Sequence, residues 1–242
     1  MKSNNINMDL ETMMDKLKEL GSEQIKNILM NHGIKEPLYG TKIGDLKKLV
    51  KYVKKNDMLA RELYNTGNYD AMYLAGLSIN PKGMTKGEVE DWLGKAYCSA
   101  ISVSIVSNVA AESNFALELA RKWIKSDNEI IESCGWSTIS NYISITEDEL
   151  IDMDEIIELL NIVGTDINNS KNRVRYNMNG FVISVGIYIK ELNARALEVA
   201  ENIGNVKVDL GATSCKVPVA KDYIQKAISM NRIGRKRKSC IC

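Results

Sequence analysis

Several residue types are scarce in this 242-residue chain, and each scarcity excludes a class of protein. His32 is the only histidine, so a site built from several imidazoles is excluded. Prolines number three and aromatic residues make up 6%, which leaves long stretches free to be helical and gives few strand signals. No apolar run approaches about 18 residues, so we expect no membrane span. Residues 1–12 lack the basic and apolar parts of a secretory signal.

Cysteine usage indicates a reducing compartment. Five cysteines are present, an odd number, at positions 98, 134, 215, 240 and 242. Without a secretory signal, this pattern predicts free thiols in a cytoplasmic protein. Cys240 and Cys242 form a C-x-C pair at the end of the chain, but a metal would need further ligands. We therefore expect no metal site and no cofactor.

Charge is unevenly distributed although the net charge is only +1. Residues 216–242 hold eight basic residues against the single acid Asp222, so this segment carries +7 and the preceding residues carry −6. A basic end on a mildly acidic chain predicts a polyanion partner. The alternative is a solvated tail that only keeps the protein soluble.

The spacing of apolar residues is typical of helices along most of the chain. Thr85 and Glu88 form a capping-box pattern that predicts a helix start. Ser99–Val109 alternates like a strand, but its helical neighbours favour a helix, and Val206–Leu210 is expected to be extended. About a dozen helices with short connections recur in pairs every 30–45 residues or so. We predict an all-α fold, a curved α-solenoid of stacked antiparallel helix pairs (HEAT-like repeats) with a concave face, in one domain of residues 1–230 followed by a basic tail, 231–242.

The stretch Asn172–Ile189 is central to this interpretation. Its second half is almost wholly apolar, with small residues at Gly180, Ser184 and Gly186, so we predict a helix buried on most sides. Its first turns carry two arginines and three asparagines. They either mark a core helix that reaches the surface or form an anion site, which a helix N-terminus would favour.

Four features together resemble the HEAT-like-repeat DNA alkylation repair family, whose members excise alkylated bases such as 3-methyladenine and 7-methylguanine. They are the order of the helices, Tyr39-Gly40 before a basic amphipathic helix, the stretch Asn172–Ile189, and the Lys/Arg-rich C-terminus. The resemblance covers about residues 10–238. It implies a positively charged concave groove that holds double-stranded DNA. In active members, aromatic residues contact the lesion-bearing nucleotide and a carboxylate stabilises the developing sugar cation.

The sequence departs from that family at its catalytic positions. The family tryptophan and aspartate fall at Val103 and Ser107, and the family arginine falls near Glu132–Ser133, where this chain has none. A second family tryptophan falls at Phe181. The scaffold therefore resembles the family more closely than the catalytic set does.

Other residues of this chain are candidates to replace the family's catalytic residues. Glu112 is the candidate catalytic carboxylate, although a role as an exposed or capping residue beside Ser113 is the alternative. Trp136 is either a lesion contact or a core residue, and Cys215 with Lys216 is a weaker candidate nucleophile pair. Candidate lesion or groove contacts are Tyr39, Ser107, Trp136 and Phe181. Candidate contacts to the DNA backbone are Lys42, Arg173, Arg175, Lys216, Arg235, Lys236, Arg237 and Lys238.

Three functions remain open on the sequence alone. The first is a glycosylase for alkylated purines with a rearranged site, and the second is a catalytically silent relative that binds nucleic acid. The third is a HEAT-type scaffold that binds protein. We expect double-stranded DNA, alkylated in the first case, as the partner of a monomeric protein.

Overall fold

The computed structural model describes residues 8–241, and they form α-helices joined by short 3-10 turns and loops, with no strand in that range. The all-α prediction is therefore confirmed. The chain divides after Met84 into two compact units, residues 8–84 and residues 85–240. Residues 231–240 belong to the second unit in this division, and the expected boundary at residue 230 stays a prediction. Cys242 lies outside the described residues.

The first unit holds five helices: α1 (Leu10–Glu19), α2 (Glu23–Asn31), α3 (Ile43–Val53), α4 (Asp57–Asn65) and α5 (Tyr69–Ser78). Helix α5 is buried along almost its whole length, since nine of its ten residues are buried. It packs against α3 and α4. Asn68 caps it by accepting hydrogen bonds from the backbone N–H groups of Asp70 and Ala71.

One buried carboxylate fixes the loop between α2 and α3. Asp70 accepts hydrogen bonds from the backbone N–H groups of Tyr39, Gly40 and Thr41 at 2.6, 3.2 and 2.7 Å. Gly40 has φ +78°, and a Cβ there would lie 2.5 Å from the Lys26 nitrogen, so only glycine fits. This arrangement satisfies three loop donors at once, and it fixes the backbone around Tyr39.

The second unit holds nine helices: α6 (Lys86–Lys95), α7 (Ser99–Ile101), α8 (Ser107–Glu112), α9 (Ala116–Trp123), α10 (Glu129–Ile145), α11 (Met153–Asp166), α12 (Asn172–Tyr188), α13 (Asn193–Ile203) and α14 (Ala220–Ser229). A π-helical turn, Ser102–Val106, joins α7 to α8. The predicted capping box is present at the start of α6, where the Thr85 and Glu88 side chains each accept from the other's backbone N–H.

Helices α10 and α12 form the centre of the second unit. The predicted burial of α12 is confirmed: Val174, Met178, Phe181 and Val185 are buried in one continuous core. Helix α14 approaches α12 closely at Gly186, where a Cβ would lie 2.5 Å from Cδ1 of Ile224. The small residue that the sequence placed there is therefore what lets these two helices pack.

Some predicted boundaries differ from the structure for local reasons. The spacing of apolar residues would allow a helix from Ser113, but α9 begins at Ala116, because the Ser113 hydroxyl donates to the Ala110 carbonyl and accepts from the Phe115 N–H. These contacts end one helix and turn the chain into the next. None of the helices within residues 8–241 has both the length and the apolar character needed to span a bilayer.

We predict that Asp70→Asn destabilises the first unit by about 2–4 kcal/mol, because an amide offers one acceptor oxygen and places its own N–H groups against buried donors. Amide hydrogen exchange at Gly40 and Thr41 measures this directly, and their protection should fall. Asp45→Asn is the control, since Asp45 forms only a surface pair with Lys48 at 2.7 Å. Equal protection in wild type and Asp70→Asn would contradict the assignment.

Candidate nucleic-acid interface

The position expected to carry the catalytic aspartate is filled by a buried serine. Ser107 is 0% exposed. Its hydroxyl bonds to the Val103 carbonyl, lies 3.0 Å from the Ser137 hydroxyl, and accepts from Asn141 Nδ2 at 3.2 Å. These hydrogen bonds join the π-helical turn to α10 through the Ser107 hydroxyl. The groove contact expected of Ser107 stays a prediction.

The two aromatic candidates lie in the core. Trp136 is 3% exposed and Phe181 is 0% exposed. Their rings pack against each other, with centroids 5.4 Å apart. Neither ring presents a face to solvent, which favours the core alternative for Trp136. The lesion contact expected of Phe181 stays a prediction.

The start of α12 does not present a free anion site. Glu129 accepts a hydrogen bond from the Arg173 backbone N–H at 2.8 Å, so a carboxylate of the protein already occupies this helix end. Lys171 pairs with Glu132 at 2.7 Å beside it. Arg175 donates to Asn172 Oδ1 at 3.4 Å. These contacts support the alternative of a core helix that reaches the surface. The roles expected of the Arg173 and Arg175 side chains as DNA contacts stay predictions.

Glu112, the candidate catalytic carboxylate, binds the end of the chain. Its Oε1 accepts from the Ser239 hydroxyl at 2.6 Å and from the Cys240 backbone N–H at 2.5 Å. The carboxylate satisfies protein donors, and the catalytic role expected of Glu112 stays a prediction. We call residues 231–240 the C-terminal segment, and Glu112 is its anchor on α8.

Lys236 is a second anchor of the C-terminal segment. Its ammonium donates to the Ile143 carbonyl at 2.9 Å and pairs with Asp148 at 2.7 Å, and its side chain is only 9% exposed. The next backbone N–H, that of Arg237, donates to the Ser144 carbonyl at 2.7 Å. The Lys236 ammonium is thus paired inside the protein, and its expected role as a DNA contact stays a prediction.

The chain reaches this position through a defined helix end. After α14, Asn231 adopts φ 51°, while the Arg232 N–H donates to the Ala227 carbonyl and the Asn231 N–H to the Ile228 carbonyl. These bonds form a Schellman motif, which reverses the chain direction. Gly234, with φ 77°, then donates to the Ile187 carbonyl at the end of α12. The C-terminal segment is thus held by ordered contacts, unlike a solvated tail.

The end of α12, the face of α14 and the C-terminal segment enclose a depression of about 390 Å³. We call it the basic–aromatic depression. Its lining residues are Ile187, Tyr188, Tyr223, Lys226, Ala227, Met230, Arg232, Arg235 and Arg237. Four of them are cations and none is an acid.

The cations of this depression lack carboxylate partners. Within residues 8–241, no ion pair involves Lys226, Arg232, Arg235 or Arg237. Cations on α6 and α9 are different: Lys86 pairs with Glu118, and Lys122 pairs with Glu90. Four unneutralised cations around one concavity attract a polyanion and favour nucleic acid over an acidic side chain.

The sequence identified two of the depression's residues and missed the others. Arg235 and Arg237 were predicted as DNA contacts; Tyr188, Tyr223, Lys226 and Arg232 were not. A signal existed, because residues 223, 226, 227 and 230 have the spacing of one helical face. The remaining predicted contacts lie elsewhere: Tyr39 is half-buried in the first unit, and Lys42, Lys216 and Lys238 are exposed.

No cluster of three or more His, Cys, Asp or Glu side chains within residues 8–241 could hold a metal ion. The described cysteines are free thiols. Cys240 is buried against Ser144 and Asn141, and burial raises the pKa of its thiol to about 11. Cys215 is exposed.

The fold defines a helical-repeat protein, and comparisons with known proteins give its family. The family model described as "DNA alkylation repair enzyme" matches residues 13–206. The chain belongs to this family, and the resemblance seen in the sequence is confirmed.

Relatives support the same assignment. The chain is 38% identical to Uncharacterized protein Lin0241 of Listeria innocua over 90% of this chain and 96% of that one. It is also 38% identical to Uncharacterized protein Lmo0209 of Listeria monocytogenes, over 87% and 93% of the two chains. One solved structure, with TM-score 0.89 and 36% identity, covers 97% of this chain and 100% of its own. It is described as "a new family of proteins related to the HEAT-like repeat DNA glycosylases with affinity for branched DNA structures". The HEAT-like repeat prediction is thereby confirmed.

We predict that Glu112→Ala exposes Cys240 to thiol reagents. Loss of the carboxylate leaves the Ser239 hydroxyl and the Cys240 N–H without their acceptor, so the C-terminal segment opens more often. In a Cys242→Ser background, labelling of Cys240 by a maleimide at pH 7 should accelerate at least about 10-fold over wild type, while labelling of exposed Cys215 stays constant.

The control variant is Glu118→Ala, which removes a carboxylate from α9 that pairs with Lys86 and lies outside the C-terminal segment. It should leave Cys240 protected. Rapid labelling of Cys240 in the parent background would contradict the docking of the segment.

Proposed function

We propose that this protein binds branched DNA through the basic–aromatic depression and does not excise bases. The observation that carries this proposal is the set of four unpaired cations around that concavity. The affinity for branched DNA described for the structural neighbour gives the class of ligand. Reduced thiols and a DNA partner fit the cytoplasm as its location.

The positions that would perform excision support a binding role. The catalytic aspartate is replaced by Ser107, which is neutral, buried and hydrogen-bonded to α10. Glu112, the nearest carboxylate in sequence, is committed to Ser239 and Cys240. Glycosidic cleavage needs negative charge close to the developing sugar cation. Neither residue supplies that charge to a bound nucleotide.

Arginine is well suited to binding the phosphates of DNA. A guanidinium binds phosphate oxygens through two parallel N–H groups and remains charged at any physiological pH. Arg235 and Arg237 are exposed and stand on either side of buried Lys236, so the extended segment presents alternate side chains to the depression. Each phosphate that is neutralised releases about one counterion, which makes the affinity strongly dependent on salt.

The predicted outcome for the double variant Arg235→Gln/Arg237→Gln is a loss of about 10-fold or more in affinity for a four-way junction at about 0.1 M salt. The slope of log Kd against log salt should become shallower by about 2. Fluorescence anisotropy with a labelled junction measures both quantities. Wild-type protein should release no 3-methyladenine or 7-methylguanine from methylated double-stranded DNA.

The matched control is Lys86→Gln/Lys122→Gln, which makes the same change in net charge but removes cations that are already paired with Glu118 and Glu90. It should change affinity less than twofold or so. Junction binding that survives in the arginine variant would contradict the assigned interface. Release of a methylated base by wild type would instead support the glycosylase alternative that the family description implies.

A further inference from the structure

The basic–aromatic depression holds more than cations. Tyr223 is 54% exposed on α14, and no hydrogen bond or ion pair within residues 8–241 involves its side chain. Met230, about two helical turns after Tyr223, is also exposed. Tyr188 of α12 lines the opposite side of the depression. A large apolar ring kept in water among arginines and a lysine gains nothing within the monomer. Phosphate contacts alone would need only the cations.

The spacing of these groups suits a nucleotide. Nucleic-acid bases stack on exposed aromatic rings, while cations beside the rings hold the flanking phosphates. The volume of about 390 Å³ lies within the range of sites that enclose a small ligand, roughly 300–1,000 Å³. Tyr223 and Lys226 are three residues apart on one face of α14, so a base on the ring would place its phosphate near cations.

Geometry determines whether the base that stacks on Tyr223 can be paired or must be unpaired. Within a duplex, both faces of each base are covered by neighbouring base pairs, so the Tyr223 ring cannot stack on them. A base is free to leave the stack where strands separate, because the energy of unpairing has already been spent at a mismatch or single-stranded end. Branched DNA offers such bases where its branch point is incompletely paired.

We propose that the basic–aromatic depression binds one unpaired nucleotide of branched DNA, with its base stacked on Tyr223 and its flanking phosphates held by Arg235 and Arg237. This inference rests on the proposed DNA binding and deepens it. Tyr188 forms the second wall, and Lys226 and Arg232 complete the positive rim. The depression thereby distinguishes a branch point with unpaired bases from one that is fully paired.

The test uses two three-way junctions of equal length, one fully paired and one with two unpaired adenines at the branch, the first of them replaced by 2-aminopurine. Wild-type full-length protein should bind the unpaired junction about 5- to 50-fold more tightly, and 2-aminopurine fluorescence should be quenched on binding. Tyr223→Leu should remove that preference and the quenching. Tyr223→Phe, which keeps the ring, should retain both.

Tyr52→Leu is the control, since Tyr52 is also an exposed tyrosine but lies on α3 in the first unit. It should leave preference and quenching unchanged. Equal affinity of wild type for the two junctions, or a preference that persists in Tyr223→Leu, would overturn the inference while DNA binding itself stands. Absence of binding to either junction would instead refute the proposed function.

Discussion

The docking of the C-terminal segment on α8 and α10 is the constraint on which the candidate interface depends. Glu112 accepts two hydrogen bonds from the Ser239 hydroxyl and the Cys240 N–H, and the Lys236 ammonium reaches both the Ile143 carbonyl and Asp148. Charged groups make stronger hydrogen bonds than neutral ones, roughly 1.5–3 kcal/mol each. Arg237 lies between these two anchors, and Arg235 lies between Lys236 and Gly234, whose N–H binds the Ile187 carbonyl, so both arginines are held beside α14. Without them, the same arginines would form an unstructured positive chain.

The core supplies the surface on which this docking occurs. Helix α12 packs between α10, α13 and α14, and Gly186 allows α14 to approach closely enough for Tyr223 and Tyr188 to face one depression. The first unit uses the same strategy with a different group, since Asp70 fixes the Tyr39–Thr41 loop. In both units, a buried or anchored carboxylate binds backbone N–H groups of a loop. These carboxylates therefore stabilise the conformation of the loops that they bind.

The fold could be read from the sequence because it depends on periodic patterns. The apolar spacing of α12 and the capping box at Thr85 are local features, and the structure has them as predicted. The site could be predicted only in part. Arg235–Lys238 is one uniform basic run in the sequence, yet Lys236 turns inward to Asp148 and Arg235 turns outward. Nothing local distinguishes them, because the partners of Lys236 lie about 90 residues earlier in the chain.

Long-range pairing also determines the partners of the acidic residues Glu112, Glu129 and Glu132. Glu112 was considered for catalysis because it is near Ser107 in sequence, but its partners, Ser239 and Cys240, come from the opposite end of the chain. Glu129 and Glu132 were not considered at all, although they meet the start of α12 across helices. Long-range pairing determines which charges remain free, and a single sequence does not record it.

The measurement that tests the central claim most directly is the affinity of Glu112→Ala for branched DNA at about 0.1 M salt. This variant keeps every cation and raises the net charge by one, so nonspecific electrostatics alone would tighten binding. The docked-segment account predicts weaker binding, by about fivefold or more, because the arginines lose their fixed positions. Unchanged or tighter binding by a folded Glu112→Ala protein would contradict that account.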